Sequence, residues 1–359
     1  MKNLIKKLSV FLLAIIAMLS LVACGEKETP SSNENSTVTS SVETSVSSNQ
    51  NSTVTSSVED SVEKNSSTPT SSTAAFTPST LVPYVHNFTQ PETNYEEATT
   101  ETTVFLVGDS TVCNYTETKE KAAYYYMRNG YGMRLGEYLN DKVTINNLAL
   151  SGRSSKSFLK EANYTTLKNS IKAGDFLIIG FGHNDEKTEE ARYTNPNGGV
   201  TEPTSLKYHL YEYYIKIALD AGATPILCTP IVRRVSSGTY SGNSIHQTAG
   251  NATYPGGDYT KAIIDLGAEK NVQVIDLTTI TKNMLTGLSS DQSASIYAWK
   301  KEANITSVDN THINAYGAQI VARLLCEELI KTECPLKNYV KKEFAVPSSS
   351  VLVGVGFDS

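Results

Sequence analysis

The sequence predicts a three-layer α/β/α domain around a central five-stranded parallel sheet, and three observations carry that prediction. After residue 98, five short apolar runs recur at 103–107, 143–149, 175–181, 224–230 and 272–277, most of them bounded by Gly, Asp or Asn. Segments with helical patterning separate them, over 131–140, 164–172, 205–221 and 258–270, and a last one begins near Thr311. Small polar residues collect where these strands end. Strict β/α alternation calls for a parallel sheet covered by helices on both faces, and such sheets bind their ligands outside the carboxyl ends of the strands.

The first strand, Thr103-Val104-Phe105-Leu106-Val107, is the continuous apolar run of a buried parallel strand. It stops at Gly108-Asp109-Ser110, where glycine permits a tight turn and leaves a carboxylate and a hydroxyl at the strand end. Asp109 or Ser110 would equally suit the N-cap of a following helix. The second strand (VTINNLA) runs into Leu150-Ser151-Gly152-Arg153-Ser154, where the main chain at Gly152 can approach a ligand closely. The third (DFLIIGF) closes on Gly182-His183-Asn184-Asp185, a set of turn formers in which Asn184 carries an amide donor. The fourth (TPILCTP) is followed by Arg233 and Arg234. A guanidinium matches a carboxylate bidentately, so either arginine can hold an acidic substrate at this rim or pair with the acidic surface.

Near the end of the chain, Ile313, Tyr316, Gly317, Ile320, Val321 and Leu324 share one helical face, so Asp309 to His312 are expected to form the loop and first turn leading into that helix. Their spacing lets a carboxylate lie beside an imidazole, fix its tautomer and stabilise its cation. A helix N-cap is the alternative role for Asp309. Of the five histidines, His86 precedes the domain, His209 sits in a predicted amphipathic helix and His246 lies in a Gly/Ser-rich loop, which leaves His183 and His312. Five strands suit a flavodoxin-like order. Two long polar stretches, 186–204 and 235–257, follow strand ends and are expected to rim the site.

The rest of the chain is organised for export. Lys2, Lys6 and Lys7 precede an apolar core from Leu8 to Leu19, the pattern of a secretory signal over residues 1–23. Leu21-Val22-Ala23-Cys24-Gly25 resembles the lipobox of bacterial lipoproteins, which implies cleavage before Cys24 and diacylation of its thiol. From Gly25 to about Ser79 the chain is dominated by Ser, Thr, Asn and Glu, with NSTVTSSVE at 35–43 and again at 51–59, and residues 24–98 are expected to form a flexible stalk. The domain is placed at 99–340 and a tail at 341–359. With the three signal lysines set aside from 31, the chain carries 28 basic against 37 acidic residues, a net of −9. Nucleic acid is a poor partner for such a chain. Cys113, Cys228, Cys326 and Cys334 show no zinc-like spacing and read as buried free thiols, with a Cys326–Cys334 disulfide as the alternative.

VGDST, the Gly152 loop, GHND and DNTH, in that order, resemble the four blocks of the SGNH (GDSL-type) hydrolases over about residues 102–331. That resemblance implies Ser110 as nucleophile, His312 as base and Asp309 as its orienting acid. It also implies an oxyanion hole from the Ser110 and Gly152 N–H groups and the Asn184 amide, and no metal or organic cofactor. Thr111, TPIVRR at 229–234 and VIDLT at 274–278 are similar to the rhamnogalacturonan acetylesterase branch of carbohydrate esterases. The implied activity is removal of O-acetyl groups from plant cell-wall polysaccharide, with acetylxylan or broader acyl esters as the nearby alternative. The implied location is the outer face of a Gram-positive-like cell membrane, held through the lipid alone. On a polymer rich in uronate, Arg233 and Arg234 become candidate substrate contacts. An inactive carbohydrate-binding lipoprotein is the reading from another class.

Overall fold

The computed structural model describes residues 83–240, 250–302 and 305–355. The expected signal, Cys24 and most of the expected stalk lie outside the described residues, as does His246. Five strands build the main sheet: β1 (Thr102–Gly108), β3 (Val143–Asn147), β4 (Phe176–Gly180), β5 (Thr224–Cys228) and β6 (Gln273–Ile275). They run in the order β3-β1-β4-β5-β6 and every pairing is parallel. The chain therefore steps from β1 to one side and then to the other. This reversal opens the crevice at the carboxyl ends of β1, β3 and β4.

Alternation along β1 sends its side chains into two cores. Val104 and Leu106 join Ile178 and Ile226 beneath Ile320, Val321 and Leu325 of the last helix. Phe105 and Val107 join Leu177, Ile179 and Leu227 on the opposite face, against Leu167, Leu210, Tyr214 and Leu266. The helices concerned are α2 (Ala162–Ser170), α4 (Tyr259–Lys270), α7 (Ala315–Leu329) and α3, whose α-helical segments Leu206–Leu210 and Lys216–Asp220 are joined by a π-helical turn at Tyr211–Ile215. Three layers result. At the exit of β1, Gly108 lies beside Gly180, and a Cβ on Gly108 would stand 2.5 Å from the Gly180 carbonyl oxygen. Only glycine lets both strand ends stay in register there.

Several elements depart from the sequence expectation. Residues 131–140 form no α-helix but two 3₁₀ turns, Tyr131–Met133 and Leu135–Glu137. Gly130, Gly132 and Gly136 weaken helix by about 1 kcal/mol each, and a Cβ on Gly132 would come within 2.5 Å of the Val112 carbonyl oxygen. Strand β6 is only three residues long because Asp276 accepts the Thr279 N–H and caps a further helix, α5 (Leu277–Leu285).

A second, antiparallel sheet, ordered β2-β7-β8, joins β2 (Tyr124–Tyr126), β7 (Tyr297–Glu302) and β8 (Ile305–Ile313). Helices α1 (Glu117–Ala123) and α6 (Ser290–Ala294) flank it, and buried Trp299 packs edge-on against Tyr126 with ring centroids 5.0 Å apart. Asp309 and His312 therefore stand on a strand, not in a helical first turn. The cap of α7 is Asn314, whose side chain accepts the Gly317 N–H.

Both expected domain boundaries also move. Residues 83–98 are no part of a stalk, since Tyr84 and Tyr95 are buried in the core and Ala98 N donates to Asn338 O at 2.7 Å. Residues 341–355 likewise pack on the domain. Gln90 and Phe344 exchange two hydrogen bonds of 2.9 Å. Buried Arg323, on α7, donates to Thr89 O at 2.7 Å and to Ala345 O at 2.9 Å. A fully buried guanidinium must fill its donors, and here both end segments supply the acceptors.

Candidate active site

Ser110 emerges from the turn after β1 and is 6% exposed. Asp109, beside it, folds back on its own turn: Oδ1 accepts the N–H and hydroxyl of Thr111, both at 2.9 Å. Burial pushes the Asp109 carboxyl up, against the pull of these donors. Ser110 itself points the other way. Its Oγ lies 3.0 Å from His312 Nε2, and His312 Nδ1 lies 2.8 Å from Asp309 Oδ2. A carboxylate can only accept, so Nδ1 carries the proton and Nε2 is left as the acceptor for the serine hydroxyl. Asp309 Oδ1 also accepts the N–H groups of Thr311 at 2.9 Å and His312 at 3.2 Å. Burial alone would raise this carboxyl, but the His312 hydrogen bond and charge and the backbone donors outweigh it and hold Asp309 well below the usual carboxylate range.

The three expected oxyanion donors stand at the ends of the three adjacent strands. Gly152, beyond β3, has φ +78°, and a Cβ built on it would meet nothing within 4 Å, so backbone conformation and not crowding favours glycine there. Leu150 N donates to Gly108 O at 3.1 Å and seats this loop beside the Ser110 turn. Asn184, beyond β4, is 6% exposed. His183 and Asp185 anchor it from either side: His183 Nε2 lies 2.9 Å from Ile231 O, and Asp185 accepts the Ser155 N–H and the Ser155 and Thr194 hydroxyls. Burial raises the Asp185 carboxyl to about 6 despite these donors. Among the described residues the N–H of Ser110, the N–H of Gly152 and the Asn184 amide nitrogen have no acceptor. Three donors thus remain for a ligand oxygen.

Residues 104–325, more than half of the chain, match the GDSL-like Lipase/Acylhydrolase family. The chain belongs to that family. It is 30% identical over 242 residues to the rhamnogalacturonan acetylesterase RhgT of Bacillus subtilis (strain 168), a match covering 66% of this chain and 93% of the relative. It is 30% identical over 241 residues to the probable rhamnogalacturonan acetylesterase YesY of the same organism, covering 67% and 98%. A rhamnogalacturonan acetylesterase of Emericella nidulans is 27% identical over 262 residues, covering 67% and 89%. Among solved structures, the crystal structure of the Bacillus subtilis protein YxiM superposes with a TM-score of 0.47 at 23% identity, over 66% of this chain and 58% of that one. As a GDSL-type hydrolase the protein is a carboxylic ester hydrolase.

In this GDSL-type hydrolase the two arginines at the end of β5 are engaged internally. Arg233 donates to Thr311 Oγ1 at 2.6 Å, and its other nitrogen pairs with Glu186 at 2.5 Å. Arg234 is buried, with Nε on Ser293 Oγ, Nη1 on Asn310 Oδ1 and Nη2 on the Ser290 carbonyl and hydroxyl, all at 2.9 Å. Their side chains tie β8 to the main sheet. Arg234 is thereby taken up by the fold, whereas Arg233 has donors beyond these contacts and a side chain 29% exposed, so the expected substrate contact is left to Arg233.

Tyr124 was not expected at the site. Its hydroxyl donates to Asp309 Oδ2 at 3.1 Å, and the Arg128 guanidinium lies 4.7 Å above its ring. Burial, with Asp309 nearby, pushes the Tyr124 hydroxyl far up, so it stays a donor. Tyr115 similarly donates to Ser110 O at 2.8 Å. Nothing in the run Tyr124-Tyr125-Tyr126 marks the first of them for this position. The four cysteines among the described residues are all buried free thiols.

Proposed function

We propose that this GDSL-type hydrolase is a serine acetylesterase that removes O-acetyl groups from plant cell-wall polysaccharide, with rhamnogalacturonan as the first candidate. The observation that carries the chemistry is the continuous line Asp309–His312–Ser110, with steps of 2.8 and 3.0 Å. Ser110 Oγ attacks the acetyl carbonyl carbon while His312 Nε2 takes its proton. The oxygen that becomes anionic is received by the Ser110 and Gly152 N–H groups and the Asn184 amide. Collapse expels the sugar oxygen, which recovers the proton from His312. Water, activated by the same imidazole, then releases acetate and restores Ser110.

The polysaccharide is supported by the names of the relatives, two of them 30% identical and described as acting, or as probably acting, on rhamnogalacturonan. The test is acetate release from acetylated rhamnogalacturonan, homogalacturonan, xylan and mannan. The highest kcat/KM is expected on rhamnogalacturonan. A higher value on xylan would move the enzyme to the acetylxylan reading, and equal values on all four to a broad acyl esterase.

The proposal places the enzyme on the outer face of the cell membrane, held by a lipid on Cys24. The supporting feature is Leu21-Val22-Ala23-Cys24 after a short apolar run. Two acyl chains suffice for stable anchoring. Cys24→Ser should therefore leave the protein misprocessed, with its signal uncleaved, or without its stable anchor, and a variant processed like wild type with unchanged detergent-phase partitioning would show that another segment holds it to the membrane.

A further inference from the structure

The stretch after Asn184, expected only to rim the site, folds back on it. The loop leaves at Asp185 and returns at Thr194, where Thr194 N donates to Asp185 O at 3.2 Å and Thr194 Oγ1 to Asp185 Oδ1 at 2.9 Å. The buried Tyr259 hydroxyl sits between the carbonyls of the same two residues, 3.0 and 2.9 Å away. Within this closed turn the Arg192 N–H donates to Glu189 O at 3.2 Å, and the guanidinium pairs through Nε with the Glu189 carboxylate. Its Nη1 donates to Asn184 Oδ1 at 2.9 Å.

A guanidinium has five donors and no acceptor. The amide atom facing Arg192 must be the oxygen, so the Asn184 NH₂ is turned away from it, toward the side left without an acceptor. The geometry points to Arg192 as the positioning residue of the oxyanion hole: it fixes which end of the Asn184 amide meets the substrate. This inference rests on the reading of Asn184 as an oxyanion donor. Without the arginine, the amide is free to rotate about its terminal bond, whose two orientations are nearly degenerate. An amide presenting oxygen to the developing oxyanion repels it. The effect belongs to the transition state, where the charge forms, and not to ground-state binding.

The experiment compares Arg192→Met, Arg192→Lys, Asn184→Ala and the Arg192→Met/Asn184→Ala double variant on a small neutral acetate ester, with a thermal melt of each. Arg192→Met should lower kcat about 10- to 100-fold, part of the roughly 10²- to 10³-fold that loss of a whole donor costs, with KM within about twofold of wild type. Arg192→Lys, which still offers a donor to Asn184 Oδ1, should recover part of the loss. In the Asn184→Ala background the arginine should no longer matter, and Arg192→Met should cost less than about threefold. An equal loss in both backgrounds, or a loss expressed in KM, would overturn the positioning role. If Asn184→Ala itself keeps full kcat, the oxyanion reading fails with it, and that arm alone identifies the cause. Should Arg192→Met not fold, the kcat of Arg192→Lys in the two Asn184 backgrounds decides the same question.

Discussion

Ser110→Ala and His312→Ala are each expected to lower kcat by roughly 10⁴- to 10⁶-fold on any ester, and the double variant to be scarcely worse than either single one. The reason is the shared step: Oγ cannot attack without losing its proton, and the 3.0 Å contact to Nε2 makes His312 the group that takes it. With either partner gone the other has nothing to do. The fold should survive both changes. Among the described residues Ser110 Oγ hydrogen-bonds to His312 alone, and the turn around it is held by Asp109 and Thr111. The measurement is initial rate on a chromogenic acetate ester alongside a thermal melt. A folded Ser110→Ala enzyme with wild-type turnover would end the serine mechanism, and independent, multiplying losses in the double variant would separate His312 from the proton transfer.

Asn184→Ala carries the second largest expected effect, a drop in kcat of roughly 10²- to 10³-fold with little change in KM. Asn184→Asp sharpens the test. It keeps an acceptor for Arg192 at the same place, so folding is undisturbed, yet it replaces the NH₂ donor by a carboxylate oxygen. It should be at least as slow as Asn184→Ala. A loss confined to KM in either variant would put Asn184 in ground-state binding of the substrate instead.

Legibility in the sequence followed the physical signal each element carries. The parallel strands are apolar on both faces and stand out as runs, so β1, β4 and β5 lie within a residue or two of where their sequences place them. The small antiparallel sheet gave no such signal: β2 is three tyrosines, β7 runs from apolar into charged residues, and β8 is mostly polar. Without it, the apolar face of α7 reads back through Ile313, which places Asp309 and His312 in a helical entry. Their partnership was still legible, because the register shift of β8 opposite Tyr297 and Trp299 lets residues three apart meet as they would on a helix. The arginines after β5 show the opposite limit. Their charge is visible in sequence, but their partners, Thr311, Glu186, Asn310, Ser290 and Ser293, come from segments 47 to 78 residues away. Arg192 lies eight residues beyond Asn184 in a polar loop, and only the return of that loop at Thr194 reveals it.

The base reaches the nucleophile from a different sheet, across a sequence separation of 202 residues. The strand that bears it, β8, pairs with β7, which pairs with β2 just after the nucleophile turn. A chain made from its amino terminus therefore presents its serine 202 residues before the imidazole. Contacts of such separation are slow to close. Until β7 and β8 have come back to β2, the growing polypeptide carries an inert hydroxyl, so hydrolysis waits for the return of the segment that bears the imidazole. Timing is thereby written into the connectivity.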